Sequence, residues 1–514
     1  MIISRHQKSN EARSPSLLKN TAIITTVSCL ERALGFLYRI VLARLLGAEG
    51  LGLYQIALSH NLLFQTSAGG GIPVTLSRTV SRLNANKKSE RHGSALLAAL
   101  LLGGAVSLPV TLVLLPLAGE IPFFQEDASI LKILILSLCA TSAYAAIKGY
   151  LWGNKEFFLS SLLETAEQIF TVSLGVLFLS NAQALSPTQG AERTAWAHTL
   201  ACVLSFIIAL AVVLKRRLKY TSPRPFLKPI LKSAAPITAV RVAATATGAA
   251  VAVIFPIALA GVGLSSSMAV QAFGVVTGMV MPLLCAPLTI IGSLAIVLVP
   301  ELAEAAAKGD KRKMQRNTEK SLLFAIAVPC LLIPFFHAIG GSMGLLAYQN
   351  ALAGEMISRC AFLLLPLSLN AILTSILNSL GFERKTLLLS LLGSAIFVLG
   401  VLLLPRFVGV YAFPIALFLQ LGLELVLGFL ILKTRCVLSR RFTKYALAYT
   451  AGTIPLCALG RWLLRLFSRF FGEWLSPIFA GITLALSIAL CYCAAKALFF
   501  TKKGNSVKKY LPHP

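Results

Sequence analysis

Fourteen stretches of this chain are long and apolar enough to cross a bilayer, and the connections between them are too short to hold a folded domain. A helix needs about 20 apolar residues to span about 30 Å of hydrocarbon. Segments of that length run over 19–46, 51–77, 93–118, 129–150, 157–180, 195–214, 230–260, 268–300, 321–341, 357–381, 386–405, 408–432, 445–466 and 474–498. The composition agrees: of 514 residues, 57% are hydrophobic and 13% charged. Soluble domains carry about 25% charged residues, so a soluble enzyme, a disordered tail protein and a secreted disulfide scaffold are all poor fits. The expected fold class is an all-α polytopic membrane protein with 14 transmembrane helices.

The cations set the direction of the spans. Lys and Arg number 47 against 19 Asp and Glu. Alternate connections hold Arg78, Arg82, Lys87, Lys88 and Arg91, then Lys155, then Lys215, Arg216, Arg217, Lys219, Arg224 and Lys228. The same side continues with Lys308 to Lys320, Arg384 and Lys385, and Lys433 to Lys444. The opposite connections are nearly free of cations: 120–127 is acidic and 261–267 uncharged. Lys and Arg are retained on the cytoplasmic side. An even span count with two basic tails therefore places both termini in the cytoplasm. Arg5, Lys8, Arg13 and Lys19 make the first twenty residues polar and basic, which predicts no signal peptide. Nine of the ten cysteines fall within apolar runs without zinc or redox spacing, as small apolar side chains would.

The chain also repeats itself weakly. Leu17–Thr25, opening span one, resembles Ile230–Thr238, opening span seven. Basic loops follow spans two and eight at similar offsets, and the end of span four, Tyr150–Lys155, resembles the end of span ten, Ser379–Arg384. Six spans are an even number, so the repeats are parallel, related by an axis along the membrane normal, as in transporters that rock two halves about a central site. The expected organisation is a cytoplasmic tail (1–18), an N-lobe of six spans (19–214), a basic linker (215–229), a C-lobe of six spans (230–432), two extra helices (445–498) and a second cytoplasmic tail (499–514).

Charges inside a span are costly and usually face the bundle interior. Span one carries Glu31, Arg32 and Arg39. Seven residues is almost two turns, so both guanidiniums share a helix face, about 10 Å apart along the axis. Glu164 and Glu167 lie on one face of span five beside Gln168. Two readings stand open here: the arginines are neutralised by Glu31, Glu164 and Glu167, or they bind an anionic substrate through the planar fork that suits phosphate oxygens. Arg241 in span seven and Glu424 in span twelve are the C-lobe counterparts. Glu31, Glu164, Glu167 and Glu424 are candidate ion-pair or coupling-ion residues. The run Gly69-Gly70-Gly71-Ile72-Pro73 predicts a broken or kinked helix. His60, Asn61 and Gln65 in span two line a cavity or pack as satisfied polar groups.

The chain's two aspartates, Asp127 and Asp310, are both in loops, so no paired-aspartate metal site is expected. The six histidines lack ligand spacing, and no phosphate-binding G-x-x-x-x-G-K-[ST] loop is present. No catalytic residue, metal or cofactor is expected, and a membrane enzyme of envelope lipid synthesis is disfavoured.

The stretch Glu31 to Gln55, with its E-R-A-L-G-F-L-Y-R-I core, resembles the first-span signature of the polysaccharide-transport branch of the MOP flippase superfamily, and Gly71-Ile72-Pro73-Val74 is a second match. Within that branch the resemblance is to the group around stage V sporulation protein B and to MurJ-type lipid II flippases. It implies a transporter that moves a polyprenyl-pyrophosphate-linked saccharide, lipid II foremost, from inner to outer leaflet by alternating access. Arg32, Arg39 and Arg241 would be the substrate-binding residues. The pattern also departs from that of the MurJ-like proteins, which carry cations in spans two and eight: 269–299 contains none, and span two has none before Arg78. Arg241 is a candidate substitute. Coupling to the membrane potential, H+ or Na+ is open. The implied partners are the bilayer, the lipid-linked saccharide and cell-wall synthesis proteins, with no nucleic acid, and the chain is expected to act as a monomer. A teichoic or capsular polysaccharide-lipid exporter and a multidrug/toxin cation antiporter are the alternatives within the superfamily.

Overall fold

A computed structural model of the chain describes residues 15–120, 128–180, 185–288, 291, 302, 304, 308–472 and 475–487, except for the side chains of 15–26, 28, 29 and 89. Among the described residues every regular element is helical. In order they are α1 (Pro15–Gly69), α2 (Ile72–Ala85), α3 (His92–Leu117), α4 (Ala128–Ile135), α5 (Leu138–Gly153), α6 (Phe157–Leu179), α7 (Pro187–Leu214) and α8 (Arg224–Ala260). There follow α9 (Ser266–Gly274), a π-helical stretch over Val275–Val280, α10 (Met281–Cys285), α11 (Lys311–Tyr348), α12 (Ala351–Cys360) and α13 (Leu364–Ser379). The chain continues through α14 (Glu383–Leu403), α15 (Pro405–Val408), α16 (Ala412–Lys433), α17 (Arg440–Ser468) and α18 (Ser476–Ser487).

Ten helical segments among the described residues are long and apolar enough to cross a membrane, or eleven if α4 and α5, bent by 42° at their junction, form one span. The difference from fourteen has identifiable sources. The first segment, Leu30–Ala85, has 56 residues, about 84 Å of helix at 1.5 Å per residue, and covers the first two expected spans. Tyr445, Tyr449, Thr450, Thr453 and Arg461 dilute the apolar character of α17, which is not among the ten. The expected span over 129–150 is the bent α4–α5 pair, and the one over 474–498 lies partly outside the described residues, whereas that over 268–300 is counted through Ser266–Leu288. Leu112, Leu177, Ile257, Phe407, Val426 and Ile454 are all more than 60% exposed. Apolar surface on that scale is stable against lipid and unstable against water. The chain is a multi-pass membrane protein.

The long first segment is interrupted at glycines. Gly47 has φ 67° and ψ −178°, a backbone state L-residues avoid and glycine adopts freely. The second interruption falls at Gly70 and Gly71, where the sequence predicts it: α1 stops at Gly69, and α2 begins at Ile72 with Pro73 in its first turn. Proline is tolerated there because the first N–H groups of a helix have no intrahelical partner.

The chain divides into two compact units, one of Met1–Val41 with Ile56–Ala246, the other of Leu42–Gln55 with Thr247–Pro514. The boundaries fall inside α1 and α8. In the first unit, Leu76 and Val80 of α2, Leu96 of α3, Ile147 and Leu151 of α5, and Val213 of α7 form one buried cluster. Lipid tails are as apolar as leucine, so such helices are held by close packing. Small residues permit it: a Cβ on Gly149 would stand 2.7 Å from Pro73 Cα, and one on Gly153 would stand 2.6 Å from Val80 Cβ.

In the second unit, Leu322, Ile326 and Cys330 of α11 pack with Ile372, Leu373 and Ile376 of α13. Backbone meets backbone where Gly340 of α11 faces Ser358 of α12. Asn350 caps α12, its Oδ1 accepting from the Ala353 N–H at 2.8 Å. Arg44 donates through Nε to the Ala347 carbonyl at 2.7 Å and through Nη2 to the Leu346 carbonyl, satisfying acceptors left over at the end of α11.

Candidate functional site

Arg32 and Arg39 lie on α1 within the first unit, and both are exposed. Gly35, between them, presents its bare face to Gln168 of α6: a Cβ there would stand 3.5 Å from Gln168 Nε2. Among the described residues no carboxylate lies within ion-pair distance of either guanidinium.

Two of the three acidic residues of the first unit's cluster are engaged away from the arginines. Glu164 of α6 pairs with Lys148 of α5, Oε1 to Nζ, at 2.8 Å, with side chains 25% and 23% exposed. The Lys148 ammonium also stands 5.3 Å from the centroid of the Tyr144 ring, one turn back on α5. Glu31 is half-buried, within the electrostatic reach of Glu164, Lys148 and Arg32. Glu167 is half-buried beside Tyr144 and accepts from the Cys202 thiol of α7 at 3.8 Å. His198 Nε2 lies 3.6 Å from the same sulfur. Helices α1, α5, α6 and α7 thus assemble a mixed-charge cluster in which Lys148 holds Glu164 and the Cys202 thiol donates to Glu167, while the Arg32–Arg39 face is left open. Chemically, that face offers two planar forks of donors with no carboxylate at ion-pair distance among the described residues.

Arg241 has a different setting. It lies on α8, within the first unit, and donates through Nη1 to the carbonyl oxygen of Gly70 at 2.6 Å. One turn earlier, Thr238 Oγ1 accepts the Gly71 N–H at 2.9 Å. The break between α1 and α2 frees those backbone groups, and α8 supplies their partners. Its side chain is otherwise exposed. His60 and Asn61 are fully buried in α1.

Glu424 of α16 sits in the second unit, 8% exposed. It accepts from Asn370 Nδ2 of α13 at 2.6 Å and from Gln420 Nε2 at 3.0 Å, and Gly393 of α14 leaves room for the carboxylate. A cavity of about 190 Å³ adjoins it, lined by Asn370, Thr374, Thr386, Ser390, Glu424 and three leucines. Amide donors satisfy this carboxylate without a cation among the described residues.

Lys148 escapes a reading by sequence. A lone lysine five residues from the end of an apolar run looks like an edge cation. The signal against that reading is Gly149-Tyr150-Leu151-Trp152, four uncharged residues that still separate it from the loop. Tyr144, His198 and Cys202 carry no local signal, because polar residues on three helices become neighbours only through packing.

Residues 17–306 match the family described as polysaccharide biosynthesis protein. Stage V sporulation protein B of Bacillus subtilis (strain 168) is 23% identical over 398 residues, covering 74% of this chain and 76% of that protein. Among solved structures, lipid II flippase MurJ in an inward closed conformation superposes with a TM-score of 0.73 at 12% identity, over 93% of this chain and all of that one. An inward-facing multidrug resistance MATE family transporter of the MOP superfamily gives a TM-score of 0.64 at 13% identity, over 81% of this chain and 95% of that one. The fold is like that of these two solved transporters, and the chain belongs to the polysaccharide biosynthesis protein family.

Proposed function

We propose that this protein is a flippase that carries a polyprenyl-pyrophosphate-linked saccharide, lipid II foremost, from the inner to the outer leaflet of a bacterial cell membrane. The observation that carries the reading is the open Arg32–Arg39 face of α1, two intramembrane guanidiniums exposed together with no carboxylate at ion-pair distance among the described residues. A charge inside a membrane span is costly and usually faces the bundle interior or a water-filled cavity, so an open pair of arginines there is best explained by an anion that comes and goes. Guanidinium forks match pyrophosphate oxygens. Arg241 keeps donors free beyond its bond to Gly70 and is the third candidate contact.

On this reading the chain has fourteen spans with both tails in the cytoplasm, in two six-span lobes (19–214 and 230–432) followed by helices over 445–498. It works by alternating access, with no chemical step. The saccharide enters with its pyrophosphate against Arg32 and Arg39 while the lipid tail stays in the bilayer. An inside-negative potential draws the emptied cationic site back toward the cytoplasm, with about 2.3 kcal/mol per charge per 100 mV available. Whether the cargo is a peptidoglycan, teichoic or capsular precursor is decided by its sugar, not by the pyrophosphate these arginines would meet.

The test is reconstitution into liposomes, following the leaflet accessibility of lipid II. Arg39→Ala should abolish translocation with abundance unchanged, and full activity would sink the assignment. One observation favours a second reading: Glu424, buried and bonded to two amides with no cation at ion-pair distance among the described residues, is suited to a cation, as a multidrug/toxin cation antiporter would need. Uptake of an organic cation driven by an imposed H+ or Na+ gradient, with no movement of lipid II, would favour that alternative.

A further inference from the structure

The open arginine face meets α6 at Gln168, one turn along from Glu164, and Glu164 already holds a cation, Lys148. Among the described residues of the first unit's spans, Lys148 is the cation with a carboxylate within ion-pair distance. Its partner Glu164 is one of three carboxylates in the cluster, with Glu31 and Glu167, against two cations, Lys148 and Arg32. The pair is a quarter exposed on each side, so it is neither sealed in the core nor dispersed in water. Lysine is a compact charge on a flexible stem with three rotatable donors, and it can change partners without moving the backbone. Glu31, adjacent to Arg32 in sequence, lies within electrostatic reach of Lys148 and Glu164 as well as Arg32, so the ion pair and the arginine face share one local field.

We propose that Lys148 is a further anion-contacting residue of this site, held by Glu164 while the site is empty and transferred to the phosphate oxygens of the substrate when Arg32 and Arg39 engage them. This rests on the flippase reading above. Glu164 acts as the internal competitor: a substrate anion must displace it from Lys148, and on departure of the anion the carboxylate recaptures the ammonium. The exchange keeps Lys148 compensated in both states and keeps the anion from binding too tightly to leave. Arg32 and Arg39, with no carboxylate at ion-pair distance among the described residues, make the first contact.

The experiment measures binding of undecaprenyl pyrophosphate to the purified full chain in detergent, beside lipid II translocation in liposomes. Glu164→Gln removes the competitor and should tighten binding by about tenfold, the scale of one charge-assisted hydrogen bond gained, while slowing translocation through slower release. The double variant Lys148→Gln with Glu164→Gln keeps the packing and removes both charges. It should bind more weakly than the parent and translocate poorly, whereas a merely structural ion pair would be replaced without loss by two glutamines. Lys148→Arg should retain binding. Competition with undecaprenyl monophosphate and with inorganic pyrophosphate separates a lipid-borne from a free phosphate ligand. A Glu164→Gln variant that binds no tighter, or a double variant that behaves as the parent, overturns the role of Lys148 while leaving the arginine site intact. A parent chain that binds none of the lipid overturns both readings.

Discussion

Arg241 donates to the carbonyl oxygen of Gly70 at 2.6 Å, across 171 positions of sequence. With Thr238 accepting from Gly71 one turn earlier, α8 closes the helix break that the glycine run opens. Arg241→Ala should therefore destabilise the fold as well as affect cargo, by about 1–3 kcal/mol for an acceptor left without its partner. Thermal unfolding in detergent, followed by circular dichroism, measures it. Thr238→Val should cost about 1 kcal/mol by the same loss of one hydrogen bond. An Arg241→Ala variant as stable as the parent would show that water serves Gly70 equally well.

Arg32 and Arg39 should behave oppositely. Both are exposed and lack a carboxylate partner among the described residues, so replacing either by Gln should change stability by less than about 0.5 kcal/mol. Lipid II translocation should nevertheless be lost. Arg39→Lys should recover only part of the activity, because a point charge cannot reproduce a bidentate fork. Stability and transport measured on the same preparations separate the two effects.

Gly149 sets how closely α5 approaches α2. A methyl group there would press on Pro73, 2.7 Å from its Cα, so Gly149→Ala should cost about 1–3 kcal/mol by overpacking. Gly248 on α8 has nothing within 4 Å of an added Cβ, and Gly248→Ala should be neutral or stabilising by up to about 1 kcal/mol through helix propensity. The comparison of their unfolding temperatures needs no transport assay.

Glu424 tests whether a buried carboxylate in the second unit is structural. Glu424→Ala leaves the amides of Asn370 and Gln420 without acceptors and should cost about 1–3 kcal/mol per orphaned group at most. Glu424→Gln should be milder, because its carbonyl accepts one amide and the other amide can turn over. If transport falls in Glu424→Gln while the unfolding temperature holds, the negative charge itself is used.

The sequence patterns that translate into structure are those with a local cause. The break over Gly69 to Pro73 is legible because three glycines and a proline impose it without reference to neighbours. That Arg32 and Arg39 share a face follows from the helical repeat alone. What engages Glu164 does not follow, since Lys148 reaches it from another helix, and one lysine near the end of an apolar run has the same signature whether it meets water or a carboxylate. Arg241 reads as a lone charge in a span, and its bond to Gly70 depends on packing between elements that are distant in sequence. The bend between α4 and α5 at Leu136–Ser137 has no glycine or proline to announce it.

The division of the chain bears on how the protein could be assembled from pieces. Residues 42–55 belong with the second unit although they are flanked by the first, and the later boundary lies within α8 rather than in the basic connection before it. Co-expressing two fragments severed in that basic connection should thus give a poor substitute for the intact polypeptide, because each fragment would lack part of the unit it is meant to supply. Neither half, once severed there, would carry a complete unit of its own.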